Sequence, residues 1–293
     1  MPLAFTSDLI DRAAAGGTAV AAVNVITLEH IEAVINGAEA ASQPVILQIS
    51  ENAVKYRLGR LAPLAAAATA AARTARVEVA LHLDHVKDLG LLPTALECGI
   101  GSVMIDAAHL PYEQNVEVTR HAVKWAHTHG IWAEAELGEV GGKDGRGALD
   151  AHAPGARTDP AEAAQYIEET RIDALAVAVG SAHAMTSRTA TIDRELLGRL
   201  HETVSVPLVL HGSSGLADAE LLAAVAGGII KVNIGTALSI AMTHAIRTHL
   251  TSEPRGVDPR GYLSDARTAM TVATTRLLNT IAAPDHTLWS VSP

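Results

Sequence analysis

The chain has 293 residues, 48% of them hydrophobic and only 3% aromatic, a formal net charge of −10 and one cysteine, Cys98. The acidic balance argues against nucleic acid as a main partner, because phosphate backbones attract basic surfaces; a single cysteine excludes an intrachain disulfide and fits a reducing cytoplasm. Met-Pro-Leu-Ala-Phe-Thr-Ser-Asp at the N-terminus has no basic region ahead of an apolar run, and the most apolar uncharged stretch, 61–72, falls far short of the ~20 residues of a membrane span, so neither a leader nor a membrane segment is expected.

Short apolar runs alternate with longer helix-patterned stretches along the chain. Strands are predicted at 19–25, 45–50, 77–84, 102–106, 132–137, 174–180, 207–211 and 229–234. They read as nearly continuous apolar segments, as strands buried on both faces of a parallel sheet do. Segments such as 28–41 and 113–129 carry apolar residues at helical spacing. Strands alternating with helices imply right-handed crossovers. Eight such units point to a closed (β/α)8 TIM barrel, which typically uses ~250 residues. One domain over 1–293 is expected, with an additional C-terminal helix at 263–281 after a Pro/Gly turn at 253–262. An open doubly wound sheet is the competing architecture, but no Gly-x-Gly-x-x-Gly follows the first strand. Segment 138–158 follows the fifth strand and holds Gly138, Gly141, Gly142, Gly145, Gly147, Pro154 and Gly155. A loop that long at the catalytic end of a barrel reads as a lid.

Three histidines fall at strand ends: His85 in Leu81-His-Leu-Asp-His85, His183 in Gly180-Ser-Ala-His183 and His211 in Val209-Leu-His-Gly-Ser-Ser-Gly215. A closed barrel brings those ends together. Three protein ligands with a position left for substrate are the pattern of a catalytic zinc. Asp84, beside His85, reads either as a proton-transfer group or as a solvated turn residue. Glu134 and Glu136, two apart on the fifth strand, share one side of it. Inside a barrel they require cations or a metal, so they either pair with Lys231 or serve the site. The glycine- and hydroxyl-rich turns at Gly212–Gly215 and at Asn233, Gly235 and Thr236 precede helices and suit phosphate. His82 shares the side of Asp84 and reads as its orienting partner or as a core histidine. His121, His127, His129, His244 and His249 read as surface residues, and Cys98 as a buried helix residue.

Leu81-His-Leu-Asp-His85, Ser102-Val-Met-Ile-Asp106, Glu134-Ala-Glu-Leu-Gly-Glu-Val-Gly-Gly142, Leu175-Ala-Val-Ala-Val-Gly-Ser-Ala-His183, Pro207-Leu-Val-Leu-His-Gly-Ser-Ser-Gly215 and Lys231-Val-Asn-Ile-Gly-Thr236 together resemble the zinc-dependent class II ketose-bisphosphate aldolases, nearest the tagatose- and fructose-bisphosphate branch. The similarity runs in order from Asn24 to about Met270. It implies Zn2+ on His85, His183 and His211, with Glu136 and Asp106 near the metal as further candidate ligands. It implies that the metal polarises the ketone of dihydroxyacetone phosphate and stabilises an enediolate. Asp84 then exchanges the proton at the aldehyde end, as acid in one direction and base in the other. Gly212, Ser214, Asn233 and Thr236 would hold phosphate, Asn24 and Ser50 would sit near substrate, and Arg260 in Asp258-Pro-Arg260 would take a second phosphate. A monovalent cation, Na+ or K+, and a cytoplasmic homodimer or homotetramer are implied as well.

The chain departs from the family pattern at three places. Asp144 stands where the lid glutamate that removes the substrate proton is usual, Ala184 replaces the glycine after the second zinc histidine, and Ala107-Ala108 replaces a small polar pair. All three touch substrate rather than metal, so intact metal binding with drifted substrate choice is expected. The alternatives are an aldolase for another sugar phosphate or a non-bisphosphate substrate, and a catalytically silent zinc-binding relative.

Overall fold

The computed structural model describes residues 3–138, 140 and 157–282. Eight parallel strands close into a barrel in sequence order: β1 Val20–Asn24, β2 Val45–Ser50, β3 Val79–Val86, β4 Ser102–Ile105, β5 Trp132–Leu137, β6 Ala174–Val177, β7 Leu208–Leu210 and β8 Ile229–Ile234. The helices are α1 Thr6–Gly16, α2 Leu28–Ala41, α3 Glu51–Tyr56, α4 Ala62–Thr74, α5 Leu91–Glu97, α6 Tyr112–Thr128, α7 Pro160–Thr170, α8 Arg194–Thr203, α9 Asp218–Ala226, α10 Thr236–Ser252 and α11 Pro259–Ile281. This is the (β/α)8 barrel with an added C-terminal helix expected from the sequence. Bounds agree at β2, β5 and β8. β3 runs two residues further, taking His85 inside the strand, while β6 and β7 stop early and leave His183 and His211 on the loops beyond.

The helices form for local reasons. On α6, Asn115, Val116, Thr119, Ala122, Val123 and Ala126 are buried, the stripe that a 3.6-residue period turns toward the barrel. Asp159, Asp193 and Asp258 accept backbone N–H bonds at the starts of α7, α8 and α11, and prolines follow Asp159 and Asp258 at the first helical turn. The main core lies between barrel and helices and is built almost entirely of Ala, Val, Leu and Ile, including Ala21, Val23, Leu47, Leu81 and Leu83. Inside the barrel, Leu9, Ile10 and Ala13 of α1 pack on Val20, Ala22, Ile46 and Ala80 and close its N-terminal end. Above that plug the interior turns polar: Gln48, His82, Asp84, Glu134, Glu136, His211 and Lys231 are all at most 1% exposed.

α11 packs along α2 and α10. The α2 contact is close at Gly37, where an added Cβ would lie 2.6 Å from Thr274 Cβ and 3.0 Å from the Thr271 carbonyl oxygen. Gly37→Ala is therefore expected to destabilise by about 1–3 kcal/mol through overpacking. Gly16→Ala, whose Cβ meets only Thr18 Oγ1 at 3.7 Å, is expected to be neutral or stabilising by up to about 1 kcal/mol. Paired denaturant melts of the two variants check this contrast.

Candidate metal centre and active site

A regular strand points successive side chains to opposite faces. β3 keeps this rule up to Asp84 and then breaks it. His85 has φ +52°, and the pairing of β3 with β4 shifts register between Leu83 and Val86. Leu83 and Val86 therefore pack outward while Asp84 and His85 both reach the barrel mouth, with His85 Nε2 3.9 Å from Asp84 Oδ2. A left-handed non-glycine residue costs about 1–2 kcal/mol, a strain that persists where the surrounding structure enforces it.

His183 and His211 complete the group. The ring centroids lie 5.2 Å (His85–His183), 4.9 Å (His85–His211) and 5.6 Å (His183–His211) apart. One nitrogen from each ring falls within 4.8 Å of the others, and among the described residues this is the group able to hold a metal ion. Carboxylates stand behind His85 and His211. His85 Nδ1 bonds Asp106 Oδ2 at 2.9 Å, which leaves Nε2 for the cluster. His211 Nε2 bonds Glu134 Oε1 at 3.0 Å, which leaves Nδ1, a buried atom without a hydrogen bond, 3.3 Å from Glu136 Oε2. A carboxylate on the far nitrogen is the usual way that a metal-binding imidazole is fixed in tautomer and orientation. The donor set fits a divalent ion held by His85, His183 and His211. Asp106 stands behind His85, and Glu136 stands beside His211.

The charge balance extends below the cluster. Glu134 Oε2 pairs with Lys231 Nζ at 2.8 Å, and Lys231 also donates to Asn233 Oδ1 at 2.7 Å. Burial raises the Glu134 carboxyl, and Lys231 with His211 more than reverses this, so it stays ionised. Burial lowers His211, but Glu134 and Glu136 outweigh burial and push the ring up to about 9. Asn233 Nδ2 also lies 3.0 Å from His211 Nε2. Glu134 can only accept, so that nitrogen carries a proton, and the amide of Asn233 serves Asp84 Oδ1 at 3.4 Å instead. Asn24 Nδ2 and Gln48 Nε2 approach Asp84 Oδ2 at 3.2 and 3.5 Å. Burial raises Asp84, and the imidazoles of His85, His211 and His82 with Lys231 overcome it, so its carboxyl is lowered. His82 is pushed down to about 3 by burial and by Lys231, and its hydrogen bond goes to Ser102 Oγ at 2.9 Å. It is a neutral core histidine.

The cluster opens into a cavity of about 540 Å3 at the C-terminal end of the barrel. Of the residues singled out from sequence, Asn24, Ser50, Asp84, His85, Asp106, His183, Gly212, Ser214, Asn233 and Thr236 line it. His211 and Glu136 lie fully buried beneath its floor. Ser50 Oγ caps α3 by accepting from Ala53 N, and Ser214 Oγ accepts from Ala237 N at the start of α10. Arg260 does not line the cavity; its side chain is 89% exposed and bonds Asp258. Asp144 lies outside the described residues. Ala184 lines the cavity with φ +57°, a conformation that suits glycine, and Ala107 is buried. Sequence reasoning passed over Glu51, Asn52, Lys55 and Lys87, which also line the cavity. Their signal was position: Lys87 is the first residue past β3, and Glu51 opens the helix after β2.

Two outcomes follow from this geometry. Lys231→Met strips Glu134 of its ammonium partner in the interior, and is expected to cost about 3–5 kcal/mol in denaturant unfolding and to weaken metal binding. Gly212→Ala places a Cβ 2.6 Å from both the carbonyl carbon and the oxygen of Ala182, at φ +67°, against backbone that cannot yield. It is expected to push apart the loops that carry His183 and His211. Calorimetric zinc titration should show at least a tenfold loss of affinity, the scale seen when the support of a metal ligand is removed.

Known proteins resemble the chain over nearly its whole length. The chain is similar to the YdjI aldolase from Escherichia coli K12, at 29% identity and a TM-score of 0.81, with 96% of this chain and 98% of that one covered. It shares its fold with the fructose-bisphosphate aldolase Fba from Campylobacter jejuni, at 22% identity and a TM-score of 0.81, with 95% of each chain covered. The family model described as Fructose-bisphosphate aldolase class-II matches residues 5–285, and the chain belongs to that family of aldolases.

Proposed function

We propose that the chain catalyses reversible aldol cleavage of a phosphorylated ketose, of the fructose or tagatose 1,6-bisphosphate type, to dihydroxyacetone phosphate and an aldehyde, with zinc as its metal. The carrying observation is the convergence of His85, His183 and His211 beside an ionised, immobilised Asp84 at the floor of one cavity. When bound, the ion supplies Lewis-acid polarisation of the substrate carbonyl. Asp84 takes the hydroxyl proton in cleavage and returns it in condensation, and the amides of Asn24, Gln48 and Asn233 hold it in place for both. The turn at Gly212–Gly215 and the start of α10 offer N–H groups and hydroxyls to the donor phosphate. On the family resemblance, Asp144 is the group that removes the proton from the donor carbon.

A second reading keeps the chemistry and changes the acceptor. Ala184 at the cavity wall and Arg260 outside it favour this reading, since both stand at positions where the family pattern handles substrate.

Zinc-loaded protein incubated with dihydroxyacetone phosphate in deuterated water is expected to lose the exchangeable C3 proton signal by NMR. A chelator should abolish the exchange and added zinc restore it. Asp84→Asn should retain exchange but lower the rate of cleavage by about 10²–10⁴-fold, the range of general acid–base catalysis. Absence of exchange in metal-loaded protein would overturn the reading.

A further inference from the structure

We infer that Asn115 is a positioning residue for the metal centre: from α6, outside the barrel, it holds the end of β5 and with it the Glu136 carboxylate against His211. The inference rests on the aldolase reading for the metal and adds to it a support that lies behind the site.

β5 loses its neighbour on one side just where it reaches the site. Its last pair with β4 joins Ala135 to Ile105, and the next residue, Asp106, bonds Val86 and His85 instead. Glu136 lies one residue beyond that pair. Its carbonyl oxygen accepts the side-chain amide of Asn115 at 3.2 Å, where a strand N–H would otherwise stand. On the other side Glu136 still pairs with Ala176 of β6. The end of β5 is thus held by a strand on one side and by a side chain on the other.

The Asn115 amide is itself fixed. Tyr166 Oη lies 2.7 Å and Thr119 Oγ1 3.0 Å from Asn115 Oδ1, and the two hydroxyls lie 2.9 Å from each other. Burial holds the Tyr166 phenol above its usual range, so it keeps its hydrogen. An amide oxygen only accepts, so the hydroxyl pair faces Oδ1 and turns Nδ2 toward Glu136. The reverse orientation would set two acceptor oxygens against each other with no hydrogen between them. Asn115 and Thr119 stand four residues apart on one face of α6, and Tyr166 reaches them from α7. All three are at most 2% exposed, in a layer built almost entirely of Ala, Val, Leu and Ile. Packing does not call for polar groups there, and each is costly if left unpaired. A buried hydrogen-bonded network fixes one arrangement of the groups it joins. The group joined here is the carbonyl of the residue whose side chain meets the histidines. Glu136 Oε2 lies 3.3 Å from His211 Nδ1, the ring nitrogen that Glu134 leaves for an ion.

The test follows backbone amide exchange in the metal-free protein and calorimetric zinc binding, in Asn115→Leu and in Gly37→Ala, whose overpacking lies between α2 and α11. In Asn115→Leu, exchange at 134–138 is expected to rise about tenfold beyond any rise in β1 and β2, the worth of one hydrogen bond. Zinc should bind about tenfold more weakly, the low end of the loss seen when the support of a metal ligand is removed. In Gly37→Ala any rise should be even across the strands and zinc affinity unchanged. Thr119→Ser, which keeps a hydroxyl, should retain the wild-type affinity. Tyr166→Phe, which keeps the ring and its packing, carries the same test with an effect of about threefold should Asn115→Leu not fold. An even rise across the strands in Asn115→Leu overturns the inference, as does unchanged zinc affinity there or an equal loss in Gly37→Ala. Wild-type protein that takes up no zinc counts against the aldolase reading instead, and exchange at 134–138 then decides by itself whether Asn115 holds β5.

Discussion

Lys231 carries a positive charge inside the barrel with none of its side chain exposed, and the site above it is arranged around that charge. Burying an ammonium costs several kcal/mol unless a partner meets it. Glu134 is that partner, and its second oxygen fixes His211. Asn233, bonded to the same ammonium, turns its amide toward Asp84. One cation thus sets the tautomer of an imidazole in the histidine group and helps place the Asp84 carboxylate. It also helps to keep His82 neutral. The arrangement follows from strand alternation, which sends Glu134 and Glu136 to the same interior face, and from the alanines Ala174 and Ala176, which leave room there.

Backbone strain marks the same region. Among the described residues five non-glycine positions have left-handed backbones: Ser42, Leu58, His85, Arg171 and Ala184. Ser42 and Arg171 cap the ends of α2 and α7, and Leu58 lies just past α3, where this conformation is the common way to end a helix. His85 and Ala184 have no such local cause. Both line the cavity, and each sits beside or within the histidine group. At His85 the strain has a visible result, since it puts two consecutive side chains on one face.

The strands were legible because parallel strands buried on both sides write themselves as apolar runs, and their C-terminal ends carried the histidines in plain view. Asp84 and the glycine turns were legible for the same reason. The reach of β3 was not, because a left-handed residue inside a strand has no signature when the residue is histidine. The role of Asp106 behind His85 was not either: a carboxylate that orients a ligand and one that binds the metal look alike in sequence. Glu134 could be read as an ion pair with Lys231 or as part of the site, and the structure makes it both. Lys55 and Lys87 carried too little pattern, since a lysine near a strand end is ordinary until the barrel closes and turns it inward.

The buried charges beneath the cavity and the side chains of its far wall come from different parts of the barrel. His183 and His211 follow β6 and β7, Glu134 and Glu136 lie on β5, and Lys231 of β8 supports them, whereas Glu51, Lys55 and Lys87 line the cavity from the segments after β2 and β3. β3 joins the two, through Asp84, His85 and then Lys87. Substitutions after β2 and β3 can therefore change what is bound without disturbing the buried charges, whose rearrangement would cost several kcal/mol. The acidic surface sharpens this division. With a net charge of −10, the molecule repels anions in general, so a phosphorylated substrate depends on local fields inside the cavity. An ion held by the three histidines would supply one such field, and the backbone N–H groups of the turn at Gly212–Gly215 would supply another.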